Sequence, residues 1–173
     1  TKNRSLFSDT ISINLVETGL ESLTGGRVLR LRKHLDKYEE FMLTYGDGLS
    51  DIDLSALYSF HQKNNCIGTV TAVHPPARFG LLDIEDNIVK TFEEKPQTDK
   101  GWINGGFFIF KNSFFKYLKN DSTILEREPL ENLSKDRELA GFKHYNFWQC
   151  MDTPRDRQTL EEYIASENYL GKD

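Results

Sequence analysis

The stretch Phe41-Met42-Leu43-Thr44-Tyr45-Gly46-Asp47-Gly48 runs from an apolar segment straight into an acid held between two glycines. A short apolar run closed by turn formers reads as a buried strand of a parallel sheet, and open α/β sheets bind ligands just beyond the carboxyl ends of such strands. On that reading Asp47 faces a ligand. An Asp-Gly turn without chemistry accounts for the same letters, and taken alone it is the simpler explanation. The surrounding sequence has to decide between them.

On the N-terminal side, apolar and polar residues alternate over 11–16, which predicts a half-buried strand. The turn-rich TGLESLTGGR follows, and then Val28, Leu31, Leu35 and Tyr38 fall at helical spacing over 28–38. Strand, helix and strand in this order imply a right-handed crossover. On the C-terminal side Asp53 caps a helix that carries Leu54, Leu57, Tyr58 and His61 on one stripe and stops at Asn64-Asn65. CIGTVTAVH is the next strand, and GLLDI and IVKTFEE flank Asp86-Asn87 as a hairpin. WINGGFFIF is a strand, followed by helical stretches over 112–118 and 125–135 and by strands over 139–145 and 147–150. A last helix has Thr153 as its cap, with Pro154 and Asp156 in the first turn. The expected architecture is an α/β fold, a mixed sheet flanked by helices, without internal repeats or a domain linker.

The 173 residues suit one domain, and a hydrophobic content of 38% is enough for a core. A net charge of −5 and the lack of a Lys/Arg cluster argue against nucleic-acid binding, while leaving a single nucleotide open as a ligand. No apolar run approaches 20 residues, which argues against a membrane span, and cytoplasmic residence is the default expectation. Cys66 and Cys150 lie in apolar segments without metal-ligand spacing and are expected to be unpaired. The four histidines have no i, i+4 partners and read as surface or satisfied core residues.

Three polar motifs sit at strand ends. In FEEKP the chain must leave the sheet at Pro96, which puts Glu94 and Lys95 at its mouth; an exposed strand end is the plain alternative. In INGGFF two glycines interrupt an aromatic strand, which calls either for close approach of a ligand or another backbone to Asn104, Gly105 and Gly106, or for a β-bulge. In QCMDT an acid, Asp152, lies between strand and helix, where capping alone could explain it.

Taken in order, TGGR, YGDG, PPxRFG, FxEKP, INGGFF and FWQxMDT resemble the sugar-1-phosphate nucleotidyltransferases over about residues 16–160, most closely those that use CTP and glucose 1-phosphate. The resemblance implies a Rossmann-like sheet, Mg²⁺, CDP-glucose and pyrophosphate as products, and a homo-oligomer. It implies that Asp47 and Asp152 hold the metal on the α-phosphate, a coordination suited to this hard ion. It further implies that Lys95 neutralises the sugar phosphate, that Glu94 and Asn104 bind sugar hydroxyls, and that Ser22, Thr24, Gly25, Arg27 and Gly46 lie around the nucleotide. Positioning and charge stabilisation then carry the transfer, with no covalent nucleophile.

One part of the pattern is absent: a first strand leading into a GGxGTR-type loop and a Lys that cradle the triphosphate. The expectation is therefore that residues 1–173 form the C-terminal portion of a single nucleotidyltransferase domain and are inactive by themselves. Two other readings stay open. Asp51-Ile52-Asp53 has the DxD form of metal-dependent glycosyltransferases, although Asp53 is better explained as a helix cap. The other is a non-catalytic remnant that binds a ligand or partner.

Overall fold

The computed structural model describes residues 12–74, 81–93 and 101–166. In chain order the elements are α1 (Thr24–Arg30), α2 (Arg32–Leu35), β1 (Glu40–Thr44), β2 (Gly48–Ser50), α3 (Leu54–Asn64), β3 (Gly68–Val73), β4 (Leu81–Glu85), β5 (Ile88–Glu93), β6 (Ile103–Lys111), a 3₁₀ turn (Asn112–Tyr117), α4 (Glu128–Lys135), β7 (Leu139–Lys143), β8 (Trp148–Cys150) and α5 (Pro154–Ala165).

The aromatic strand β6 organises the sheet. Its run Phe108-Ile109-Phe110 is fully buried, and β1 and β3 pair with it on either side, both antiparallel, while β7 adds to β3 in parallel. Phe110 stacks on Phe114 of the 3₁₀ turn with ring centroids 4.0 Å apart, and Leu125 and Leu133 close the core beneath them. Such offset aromatic contacts add to area burial and favour one packing of the strand. Gly68 is closely packed here: a Cβ would stand 3.0 Å from the Phe110 ring, which would have to shift to admit it. Two small ladders complete the fold, β2 with β8 and the hairpin β4–β5, and among the described residues no helix is long and apolar enough to cross a membrane.

Many local expectations hold because their signals are complete in themselves. Asp53 caps α3, its Oδ1 accepting from the Ser55 and Ala56 amides at 2.9 Å, and Asn65 ends that helix in the left-handed region. Asp86 and Asn87 both take positive φ, as a tight hairpin turn requires. Thr153 and Asp156 form a reciprocal capping box at the start of α5. The free thiols of Cys66 and Cys150 are half-buried.

Several expectations are corrected. Residues 12–16 form no strand: Ile13 and Leu15 are exposed, so alternation alone, without a partner to pair with, does not make one. The crossover built on that strand falls with it, and β1 is antiparallel to its neighbour, at the edge of the described sheet and not buried within a parallel one. The helix expected over 28–38 begins earlier, at Thr24, and breaks after Arg30, with Val28 its one buried apolar side chain. The stretch 112–118 is a 3₁₀ turn, and the helix expected from 125 starts at Glu128, where Pro129 is tolerated in the first turn.

Candidate active site

Asp47 sits in the turn between β1 and β2, and Asp152 in the turn between β8 and α5. The β2–β8 ladder sets Gly48 opposite Cys150, and the Met151 amide donates to the Asp47 carbonyl at 2.9 Å. Two acids remote in sequence therefore reach the same cavity of about 350 Å³. Its other wall is the start of β6, residues 103–106, and Tyr45 and Trp148 complete it. Trp148 fastens the two walls, its indole N–H donating to the Gly105 carbonyl at 2.7 Å.

The glycine pair of INGGFF satisfies both of its readings. The β3–β6 register shifts between Val70 and Ala72, which is the irregularity of a bulge. The close approach comes from the chain itself: a Cβ on Gly105 would stand 3.1 Å from the Thr71 carbonyl oxygen and 2.8 Å from the Val73 side chain, and Gly106, with φ +79°, packs against the Tyr45 ring. The bend turns Asn104 toward the cavity, with its Oδ1 accepting from the Gly106 amide at 2.9 Å and its Nδ2 3.5 Å from the Tyr45 hydroxyl. Burial, and then a 2.5 Å hydrogen bond donated to Glu126, push the Tyr45 phenol well above its ordinary pKa.

Cys150, Asp152 and Asp156 bring one donor atom each within 4.8 Å of the others. The chemistry of this trio does not suit a hard cation. Burial and the neighbouring Asp152 push the Cys150 thiol up, so it stays protonated and donates to Asp152 Oδ2 at 3.2 Å, while Asp156 Oδ2 accepts from the Thr153 amide and hydroxyl. The exposed carboxylates of Asp47 and Asp152 line one cavity and are oxygen donors of the kind that could hold a hard divalent cation.

Comparison with known proteins identifies the family. Residues 7–147 match the family described as Nucleotidyl transferase. The chain belongs to that family. It is 45% identical over 150 residues to a glucose-1-phosphate cytidylyltransferase of Salmonella typhi, covering 87% of this chain and 58% of the relative. It is 47% identical over 146 residues to a probable glucose-1-phosphate cytidylyltransferase of Bacillus subtilis, covering 84% and 57%. The chain thus spans less than two thirds of the length of these curated relatives. Among solved structures, HddC from Yersinia pseudotuberculosis is similar with a TM-score of 0.59 at 20% identity, over 82% of this chain and 62% of that one. A putative glucose-1-phosphate thymidylyltransferase from Bacillus anthracis gives 0.61 at 17% identity, over 87% and 64%. These two likenesses concern the fold.

Within this nucleotidyl transferase chain the remaining residues singled out from sequence divide into three groups. Gly46 is exposed beside Asp47, with open space where a Cβ would be. Ser22, Thr24, Gly25 and Arg27 do not line the cavity. The Gly25 amide donates to the Thr123 carbonyl at 2.9 Å, Thr24 donates to Glu126 at 2.8 Å, Arg27 binds Thr18 and the Leu20 carbonyl, and Ser22 is buried. Glu94, Lys95 and the PPxRFG segment through residue 80 lie outside the described residues. Sequence reasoning missed Tyr45 and Glu126. Tyr45 stood inside the YGDG motif, but Glu126 carried no local signal, because its partners come from two distant segments. Asp51 lies 2.9 Å from His144 Nε2, and with Asp53 used as a cap the DxD acids have structural employment.

Proposed function

We propose that residues 1–173 are the C-terminal portion of a nucleotidyltransferase domain that joins CTP and α-D-glucose 1-phosphate to give CDP-glucose and pyrophosphate. The observation that carries this reading is the meeting of Asp47, Asp152 and Asn104 on one cavity in a chain 45% identical to a cytidylyltransferase. A phosphate oxygen of glucose 1-phosphate forms the new bond to the α-phosphorus of CTP. The bond from that phosphorus to the bridging oxygen breaks, and its electron pair leaves with pyrophosphate.

Both reactants are anions, so the site must hold them close against their repulsion. Asp47 and Asp152 would hold Mg²⁺, which when bound would supply positive charge to offset the repulsion of the reactants. Asn104 presents its carboxamide to sugar hydroxyls, Glu94 takes others, and Lys95 neutralises the sugar phosphate. Gly46, exposed beside Asp47, flanks the nucleotide side, and Ser22, Thr24, Gly25 and Arg27, which do not line this cavity, shape the loop behind it, Thr24 and Gly25 through Glu126 and Thr123. In-line orientation, with reactants pre-placed in one cavity, is where most of the rate comes from.

The test is product analysis on the full-length protein. Pyrophosphate released from CTP only when glucose 1-phosphate is present is the expected result. Release of a nucleoside diphosphate from a nucleotide sugar would instead assign a glycosyltransferase, and absence of both would leave a binding remnant.

A further inference from the structure

Glu126 precedes α4 and does not line the cavity, yet it ties two parts of the site together. Its carboxylate accepts from the Tyr45 hydroxyl at 2.5 Å and from the Thr24 hydroxyl at 2.8 Å, while Thr24 Oγ1 in turn accepts from the Leu125 amide at 2.9 Å. An ionised carboxylate can only accept, so the Tyr45 O–H has to point at Glu126. The phenol oxygen then has only lone pairs left for the cavity side. Asn104 accepts from the Gly106 amide with Oδ1 at 2.9 Å, which assigns the two ends of its carboxamide and leaves Nδ2 facing that oxygen at 3.5 Å, a long contact. The Tyr45 ring cannot drift away, because it is wedged against Gly106 and packs edge-on to Phe108 at 5.7 Å.

We infer that Glu126 is a positioning residue for substrate recognition: by holding the Tyr45 hydroxyl it keeps a hydrogen-bond acceptor beside the Asn104 carboxamide, whose Nδ2 then offers an N–H donor to the cavity. The wall therefore suits a ligand hydroxyl that accepts from Asn104 and donates to the Tyr45 oxygen, as sugar hydroxyls do. The identity of that ligand rests on the function proposed above; the positioning does not.

In the full-length protein, Glu126→Ala is expected to raise KM for glucose 1-phosphate about three- to tenfold, the worth of one neutral hydrogen bond, with smaller changes in kcat and in KM for CTP. Tyr45→Phe should do the same, and the double variant should be no worse than Tyr45→Phe, since Glu126 acts through that hydroxyl. Glu126→Gln, which keeps an acceptor oxygen for Tyr45, should restore KM. A readout independent of turnover is the side-chain amide pair of Asn104 in ¹⁵N-labelled protein, assigned by its loss in Asn104→Asp. It should shift in Glu126→Ala and Tyr45→Phe and return in Glu126→Gln. Unmoved amide signals, additive effects in the double variant, or equal losses in kcat and both KM values that Gln does not rescue would overturn the inference. Shifted amide signals in a protein that does not use glucose 1-phosphate would uphold the positioning and overturn the proposed substrate.

Discussion

Asp152 is exposed and its carboxylate accepts one hydrogen bond, from a thiol, so it adds little to the stability of the fold. Surface substitutions of this kind usually change stability by less than about 0.5 kcal/mol. Asp152→Asn in the full-length protein should therefore melt with the wild type while losing on the order of a hundredfold or more in pyrophosphate release, the cost of losing one preorganised charge-stabilising group. Near-normal turnover in this variant would confine Asp152 to the strand-to-helix turn. His61 makes the opposite kind of prediction. It is fully buried, with Nδ1 2.7 Å from the Thr69 hydroxyl and Nε2 3.5 Å from Glu40. Burial pulls its pKa down and outweighs the pull of Glu40. The unfolded chain then binds a proton near pH 6.5 that the folded chain refuses, so stability falls as pH drops below about 6.5 and levels off below the folded pKa. Urea midpoints measured at pH 7.5 and 5.5 should fall in the wild type and fall less in His61→Gln; equal falls would assign the acid sensitivity to other groups.

At the scale of elements, the capping box of α5 does more than start a helix. Asp152 immediately precedes Thr153, whose hydroxyl accepts from the Asp156 amide at 3.2 Å, so the cap fixes the backbone on which the acid stands. Thr153→Ala should cost about 1 kcal/mol of stability and also reduce activity, whereas Thr153→Ser should keep both; denaturant melts and initial rates on the same samples check this. Elements of this kind were legible because cap, hairpin turn and helix stop are written in adjacent residues. The stretch 12–16 was not, since a strand needs a partner that alternation does not name. The TGGR glycines were readable as special but not for what they do: a Cβ on Gly26 would stand 2.3 Å from the Asp121 carbonyl oxygen, so α1 is pressed against a loop nearly a hundred positions away. Tyr45 and Glu126 escaped the sequence reading for the same reason, their hydrogen bond spanning 81 positions.

At the scale of the molecule, the order of motifs made the family legible, and the sheet then shows what those among the described residues are near. Among the described residues the cavity is lined by two acids and no cation, although the proposed leaving group is pyrophosphate. Carboxylates alone repel that anion, and the backbone amides of α1 that could meet a phosphate donate to the Thr123 carbonyl instead. The Salmonella typhi relative is longer, with 58% of it matched by this chain. A polypeptide confined to these 173 residues should therefore release no measurable pyrophosphate from CTP and glucose 1-phosphate, because losing even one preorganised donor to developing charge costs about a hundredfold and several are needed here. It should also self-associate, since β1 ends the described sheet with Met42 exposed and with Tyr38 and Tyr58 exposed around it. The comparison is with a version extended upstream to the length of its relatives, assayed for pyrophosphate and run beside the short chain by light scattering. Turnover by the short chain equal to that of the long one would mean that the cavity of Asp47 and Asp152 holds the whole nucleotide by itself, with charge supplied by residues outside those described.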